Sequence, residues 1–146
     1  MKDPDRTRHK SYKASLIYTK SYRQLRNYVS ELLMKHTLTN IEWAIIGYLY
    51  ENKKGSSLNE LSELLGVEPP FITTTIDKLQ KREFVEKLAS QLDQRVKIVQ
   101  LSKKGKQKVL DVEKILSKEM EKILVGVSSE ELLIHLKVLE TIIRNT

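Results

Sequence analysis

Residues 57–102 read SLNELSELLGVEPPFITTTIDKLQKREFVEKLASQLDQRVKIVQLS, and the fold is decided in this stretch. Ser57 and Glu60 have capping-box spacing: the serine hydroxyl takes the backbone N–H three residues on, and the glutamate reaches back to the serine N–H. A short helix follows, with Leu58, Leu61, Leu64 and Leu65 as its expected buried face. Gly66 can adopt the left-handed turn that ends it, and Val67 can pack back over it. Pro69 and Pro70 are excluded from a helix interior but suit a first turn, so the next helix starts there and runs to about Glu83, with Ile72, Ile76 and Leu79 inward. Phe84–Leu88 and Val96–Leu101 then read as strands, joined through the polar, partly charged tip Ala89–Arg95.

Working outward from this core stretch, Thr39 and Glu42 form a second capping box at the head of a helix over Ile41–Glu51, broken by Asn52–Ser56. Upstream, Ser11–Lys35 contains neither Gly nor Pro, and its apolar stripe of Tyr18, Tyr22, Leu25, Val29 and Leu32 marks a long helix with a basic outer face. Downstream, Ser102 caps a helix to about Val125, with Val109, Val112, Leu116, Met120, Ile123 and Leu124 inward. Ser128 and Glu131 box a final helix carrying two apolar stripes, one of Leu132, Leu136, Leu139 and Ile143, the other of Ile134, Val138 and Ile142. A helix apolar on more than one side needs a second partner, and another copy of the chain supplies one. The expected fold is mainly α with a small β-hairpin wing, a winged helix-turn-helix plus terminal helices forming a dimerisation bundle. Its expected parts are an N-terminal dimerisation helix (1–36), a winged helix-turn-helix domain (37–102) and C-terminal dimerisation helices (103–146).

With 146 residues, 40% apolar and 31% charged, the chain fits one compact domain or one small domain with added helices. A net charge of +7 and a pI near 9.5 favour a polyanionic partner. The charge is uneven: residues 1–36 hold nine Lys/Arg against three Asp/Glu, residues 37–102 eight against nine, and the rest nine against seven. Local arrangement, rather than a uniform basic coat, must therefore direct binding. No cysteine is present, which excludes disulfides, thiolate metal sites and thiol nucleophiles. His9, His36 and His135 fall on separate elements without ligand spacing, so neither a metal site, a cofactor nor catalysis is expected. Met1–Lys13 lacks a secretory apolar run and no stretch approaches ~18 uncharged apolar residues, so a cytoplasmic protein without a membrane span is expected.

Helix, short helix, turn, helix and hairpin is the order of a DNA-binding winged helix, whose second short-spaced helix enters the major groove. With Ile72, Ile76 and Leu79 inward, Thr73, Thr74, Asp77, Lys78 and Lys81 are left outside. Thr73–Thr75 offer hydroxyls to phosphates and bases, and methyls to thymine. Taken alone, these threonines are equally a polar helix start, and Lys78, Lys81 and Arg82 a solvated face. Arg95 at the hairpin tip, with Lys97 beside it, suits a narrow minor groove of enhanced negative potential, and Asp93 is placed to hold the turn. Tyr18 and Tyr22 share a stripe with Leu25, which favours packing over base stacking.

In this order and spacing the motifs resemble the MarR (multiple antibiotic resistance regulator) family. The resemblance is carried by Leu38-Thr39, Leu58–Val67, Ile72-Thr73, Asp77-Lys78-Leu79, Asp93-Gln94-Arg95 and Leu101-Ser102-Lys103-Lys104-Gly105. It implies a transcriptional regulator: a homodimer held by the first and last two helices, a repressor on a palindromic operator of double-stranded DNA. Thr73, Thr74 and Lys78 would then contact the major groove, and Arg95, supported by Asp93, the minor groove. A small-molecule effector pocket is also implied, for which Tyr18, Tyr22, Trp43 and Tyr48 are the candidate lining. Two departures stand out: Glu83 where the family usually has Gly, and Glu68-Pro69-Pro70 in place of a hydroxyl-rich helix start. The rival reading is an architectural winged-helix protein that coats DNA without sequence selectivity, with binding that falls steeply in salt.

Overall fold

The computed structural model describes residues 11–146. The elements in order are α1 (Ser11–Met34), α2 (Asn40–Glu51), β1 (Ser56–Ser57), α3 (Leu58–Leu65), α4 (Pro69–Lys81), β2 (Val85–Ala89), β3 (Lys97–Leu101), α5 (Lys103–Ile123) and α6 (Ser129–Asn145). Met1–Lys10, His9 among them, lie outside the described residues.

All three capping boxes form, at Thr39/Glu42, Ser57/Glu60 and Ser128/Glu131. In each, one carboxylate and one hydroxyl satisfy two N–H groups that the helix cannot bond internally. Gly66 ends α3 in the left-handed conformation at φ 61°, and the Val67 N–H donates to the Ser62 carbonyl. Ser102 caps α5 by accepting from the Gly105 N–H at 2.9 Å.

β2 and β3 pair antiparallel in the register Val85↔Leu101 through Ala89↔Lys97, so the wing is the hairpin expected. Its other edge carries a strand that sequence reading missed: Ser56 and Ser57 pair with Val99 and Ile98, giving the order β1-β3-β2. Two serines beside a loop carry no alternating pattern, so nothing local marks them as a strand. Gly55 permits the pairing, because a Cβ there would lie 2.5 Å from the Val99 carbonyl oxygen.

Two compact units result, one through Glu113 and one of Lys114–Thr146. In the first, α3 packs on α4, α2 on α1 and β3, and α4 on β2. Leu33, Ile45, Ile46, Leu61, Ile72, Ile76, Leu79 and Val99 are fully enclosed and form its core. Leu64, expected inward, is exposed: α3 has only about two turns, and its buried residues are Leu61 and Ser62. The α1 stripe is also exposed at Tyr18, Tyr22 and Leu25, and only Leu33 of that helix is buried. In the second unit α6 buries no residue, and Ile123 of α5, expected inward, is exposed.

Candidate nucleic-acid interface

Pro69 and Pro70 start α4, and Glu68 precedes them in extended conformation without a side-chain cap. Ile72, Thr75, Ile76 and Leu79 turn inward, leaving Phe71, Thr73, Thr74, Lys78 and Lys81 on the outer surface. Each threonine hydroxyl donates to the carbonyl four residues back: Thr73 to Pro69 at 3.1 Å, Thr74 to Pro70 at 3.0 Å and Thr75 to Phe71 at 2.8 Å. Thr75 is buried and is therefore not part of the outward threonine run that the sequence suggested. Asp77 is not free either, because its carboxylate pairs with the Lys87 ammonium of β2 and ties α4 to the wing. The unpaired charge on this face is consequently positive, from Lys78 and Lys81.

At the wing tip the Ser90 N–H donates to the Val96 carbonyl at 2.8 Å, and the Val96 N–H to the Asp93 carbonyl at 2.9 Å. Asp93 Oδ1 accepts the Arg95 backbone N–H at 2.9 Å, the side-chain turn that aspartate favours. The same oxygen lies 3.7 Å from Arg95 Nε, while the arginine side chain is 95% exposed. The aspartate thus fixes the turn beneath an arginine that extends into solvent, and Lys97 at the start of β3 is exposed nearby. Leu92, unmarked by the sequence reading, is fully exposed at the same tip.

Arg82 belongs to the framework and not to a solvated face. Its guanidinium donates to Glu42 Oε2 at 3.3 Å and to the Thr37 carbonyl at 2.6 Å, and lies 4.8 Å from the centre of the Phe84 ring. Thr37 holds a left-handed backbone at φ 59°, an uncommon conformation for a β-branched residue. One arginine at the end of α4 therefore clamps the link between α1 and α2. The next residue, Glu83, is also left-handed at φ 63°, which explains why glycine would suit that position. Ser102 Oγ donates to the Glu83 carbonyl at 2.6 Å, and Lys104 Nζ meets Glu83 Oε2 at 3.1 Å. A Cβ on Gly105 would lie 2.1 Å from the Phe84 carbonyl oxygen, so the base of the wing sits directly against the start of α5.

A groove of about 480 Å³ lies between α2 and the first half of α5, lined by Trp43, Ala44, Gly47, Tyr48, Tyr50, Glu51, Val109, Leu110 and Glu113. It unites Trp43 and Tyr48 but not Tyr18 and Tyr22, which are exposed on α1, so only half of the expected aromatic lining comes together. Among the described residues no group of three His, Asp or Glu could hold a metal ion. Likewise, no described helix is long and apolar enough to cross a membrane.

A sequence model of the family described as "Transcriptional regulator SarA/Rot" matches residues 27–112, from the end of α1 into α5. The HTH-type transcriptional regulator MhqR of Bacillus subtilis strain 168 is 27% identical over 122 residues, covering 84% of this chain and 83% of that protein. Among solved structures, the transcriptional regulator BldR from Sulfolobus solfataricus superposes over the whole of both chains with a TM-score of 0.82 at 23% identity. MepR of S. aureus, in its complex with DNA, gives 0.75 at 18% identity over 90% of this chain and 97% of that one. The chain belongs to the SarA/Rot family of transcriptional regulators, DNA-binding winged-helix proteins of the MarR type and not enzymes.

Proposed function

We propose that the chain acts as a homodimeric repressor that recognises a palindromic operator. The observation that carries this reading is the pairing of an exposed face on α4 (Thr73, Thr74, Lys78 and Lys81) with a wing arginine held out on an Asp93-braced turn. Such a face suits the major groove and its phosphates, and such an arginine a narrow minor groove. In this reading residues 37–102 bind DNA, while 1–36 and 103–146 dimerise. Uncovered apolar side chains support the assignment: Leu16, Ile17, Tyr18 and Tyr22 on α1, and Leu133, Ile134, Ile142 and Ile143 on α6. The groove beside Trp43 and Tyr48 is the place where a small-molecule effector would bind and change operator affinity.

Selection from a random duplex library at physiological salt tests the proposal without assuming an operator. Enrichment of a palindrome with half-sites about one helical turn apart is the expected result. Retention without a motif would replace the operator reading by the architectural one.

A further inference from the structure

Phe71 has no role in the core of the fold. The buried face of α4 is already filled by Ile72, Thr75, Ile76 and Leu79, yet Phe71 stands beside it 52% exposed. It is followed at helical spacing by Thr74 and Lys78, which places the three on one ridge of the helix. The hydroxyl hydrogen of Thr74 is committed to the Pro70 carbonyl, and that of neighbouring Thr73 to Pro69. Asp77, the one acid on α4, is paired with Lys87. What the ridge offers is an aromatic ring, a threonine methyl and an ammonium, with no hydroxyl donor left over.

We infer that this ridge reads thymine C5-methyl groups in the major groove and that Phe71 is the residue setting the preference. The inference rests on the operator-binding reading above and names the base chemistry that reading leaves open. In the major groove, thymine alone presents an apolar group; guanine, adenine and cytosine edges present acceptors and donors that a phenyl ring cannot satisfy. Pressing the ring against those polar edges would desolvate them without return, whereas a methyl group against the ring buries apolar surface on both sides. Lys78, two turns beyond Phe71, supplies the charge that anchors the ridge to the same half-site.

The test uses the duplex enriched from the random library, with half-site thymines replaced one at a time by deoxyuridine, which pairs identically and lacks only the methyl. The parent protein is expected to lose about fourfold in affinity at each contacted position, the equivalent of ~0.8 kcal/mol. Phe71→Ser, with an unchanged melting temperature, is expected to bind the thymine and deoxyuridine duplexes alike. A parent that prefers the enriched duplex over random DNA yet ignores every methyl would overturn this inference alone. A Phe71→Ser protein that still discriminates as strongly as the parent would remove Phe71 from the role. A library yielding no motif would overturn the operator reading and this inference together.

Discussion

Arg95 and Arg82 have the same chemistry and opposite surroundings, and the difference lies in their partners. Arg95 has a 95% exposed side chain and, among the described residues, pairs only with the aspartate that fixes its turn. Arg95→Ala is therefore expected to leave the thermal midpoint unchanged and weaken operator binding by roughly 1–3 kcal/mol, measured by titration at fixed salt. Unchanged affinity would remove the wing from the interface. Arg82 instead bonds buried Glu42 and the strained Thr37 turn. Its loss should cost about 2 kcal/mol in urea unfolding, and Arg82→Lys should recover little because an ammonium cannot reproduce the planar fork. The Asp93-braced turn under Arg95 was legible because it is local, three residues of one turn. The clamp made by Arg82 was not, because Glu42 and Thr37 lie 40 and 45 residues away along the chain.

Elements whose ends are written in neighbouring residues were legible from the sequence. The three capping boxes, the Gly66 stop and the Pro69-Pro70 start all act over three or four residues, and all form. The two-residue strand β1 and the exposure of Leu64 depend on what the rest of the chain brings alongside, so periodicity could not reveal them. The caps also carry a pH signature. The Glu60 carboxylate is held below its usual range by the Ser57 backbone N–H first, and then by the hydroxyls of Ser56 and Ser57. A group with a depressed folded pKa contributes stability that is complete above its unfolded value and disappears as pH falls through the folded value. Glu60→Gln keeps a capping side chain but no charge. The stability difference between parent and Glu60→Gln should be constant near neutral pH and shrink on acidification below the ordinary carboxylate range. A difference independent of pH would mean that the charge of the cap contributes nothing.

At the scale of the molecule, the apolar faces of α1 and α6 are largely uncovered in a single chain. On α6, Leu136 and Ile143 stand seven residues apart on one stripe, and both are exposed. From the sequence, two apolar stripes on the last helix already called for a second copy of the chain, whereas the single stripe on α1 did not say what would cover it, since hydrophobic spacing does not name the partner. Because both side chains are exposed in the monomer, changing Leu136 and Ile143 together to Glu should leave the helix intact and yield a monomer by sedimentation. A variant that remains dimeric would place the interface elsewhere. The charge pattern bears on the same scale: residues 37–102, which the proposal assigns to DNA, hold eight Lys/Arg against nine Asp/Glu, so binding by this nearly neutral region would rest on placed cations such as Lys78, Lys81, Arg95 and Lys97. Placed cations and a shaped face predict selectivity, whereas a diffuse basic coat would predict salt-sensitive binding to any duplex. The most direct measurement is the ratio of affinities for the enriched palindrome and a random duplex of equal length, at one physiological salt concentration. A ratio of ~10³ or more is the predicted result, and equal affinities would contradict the account.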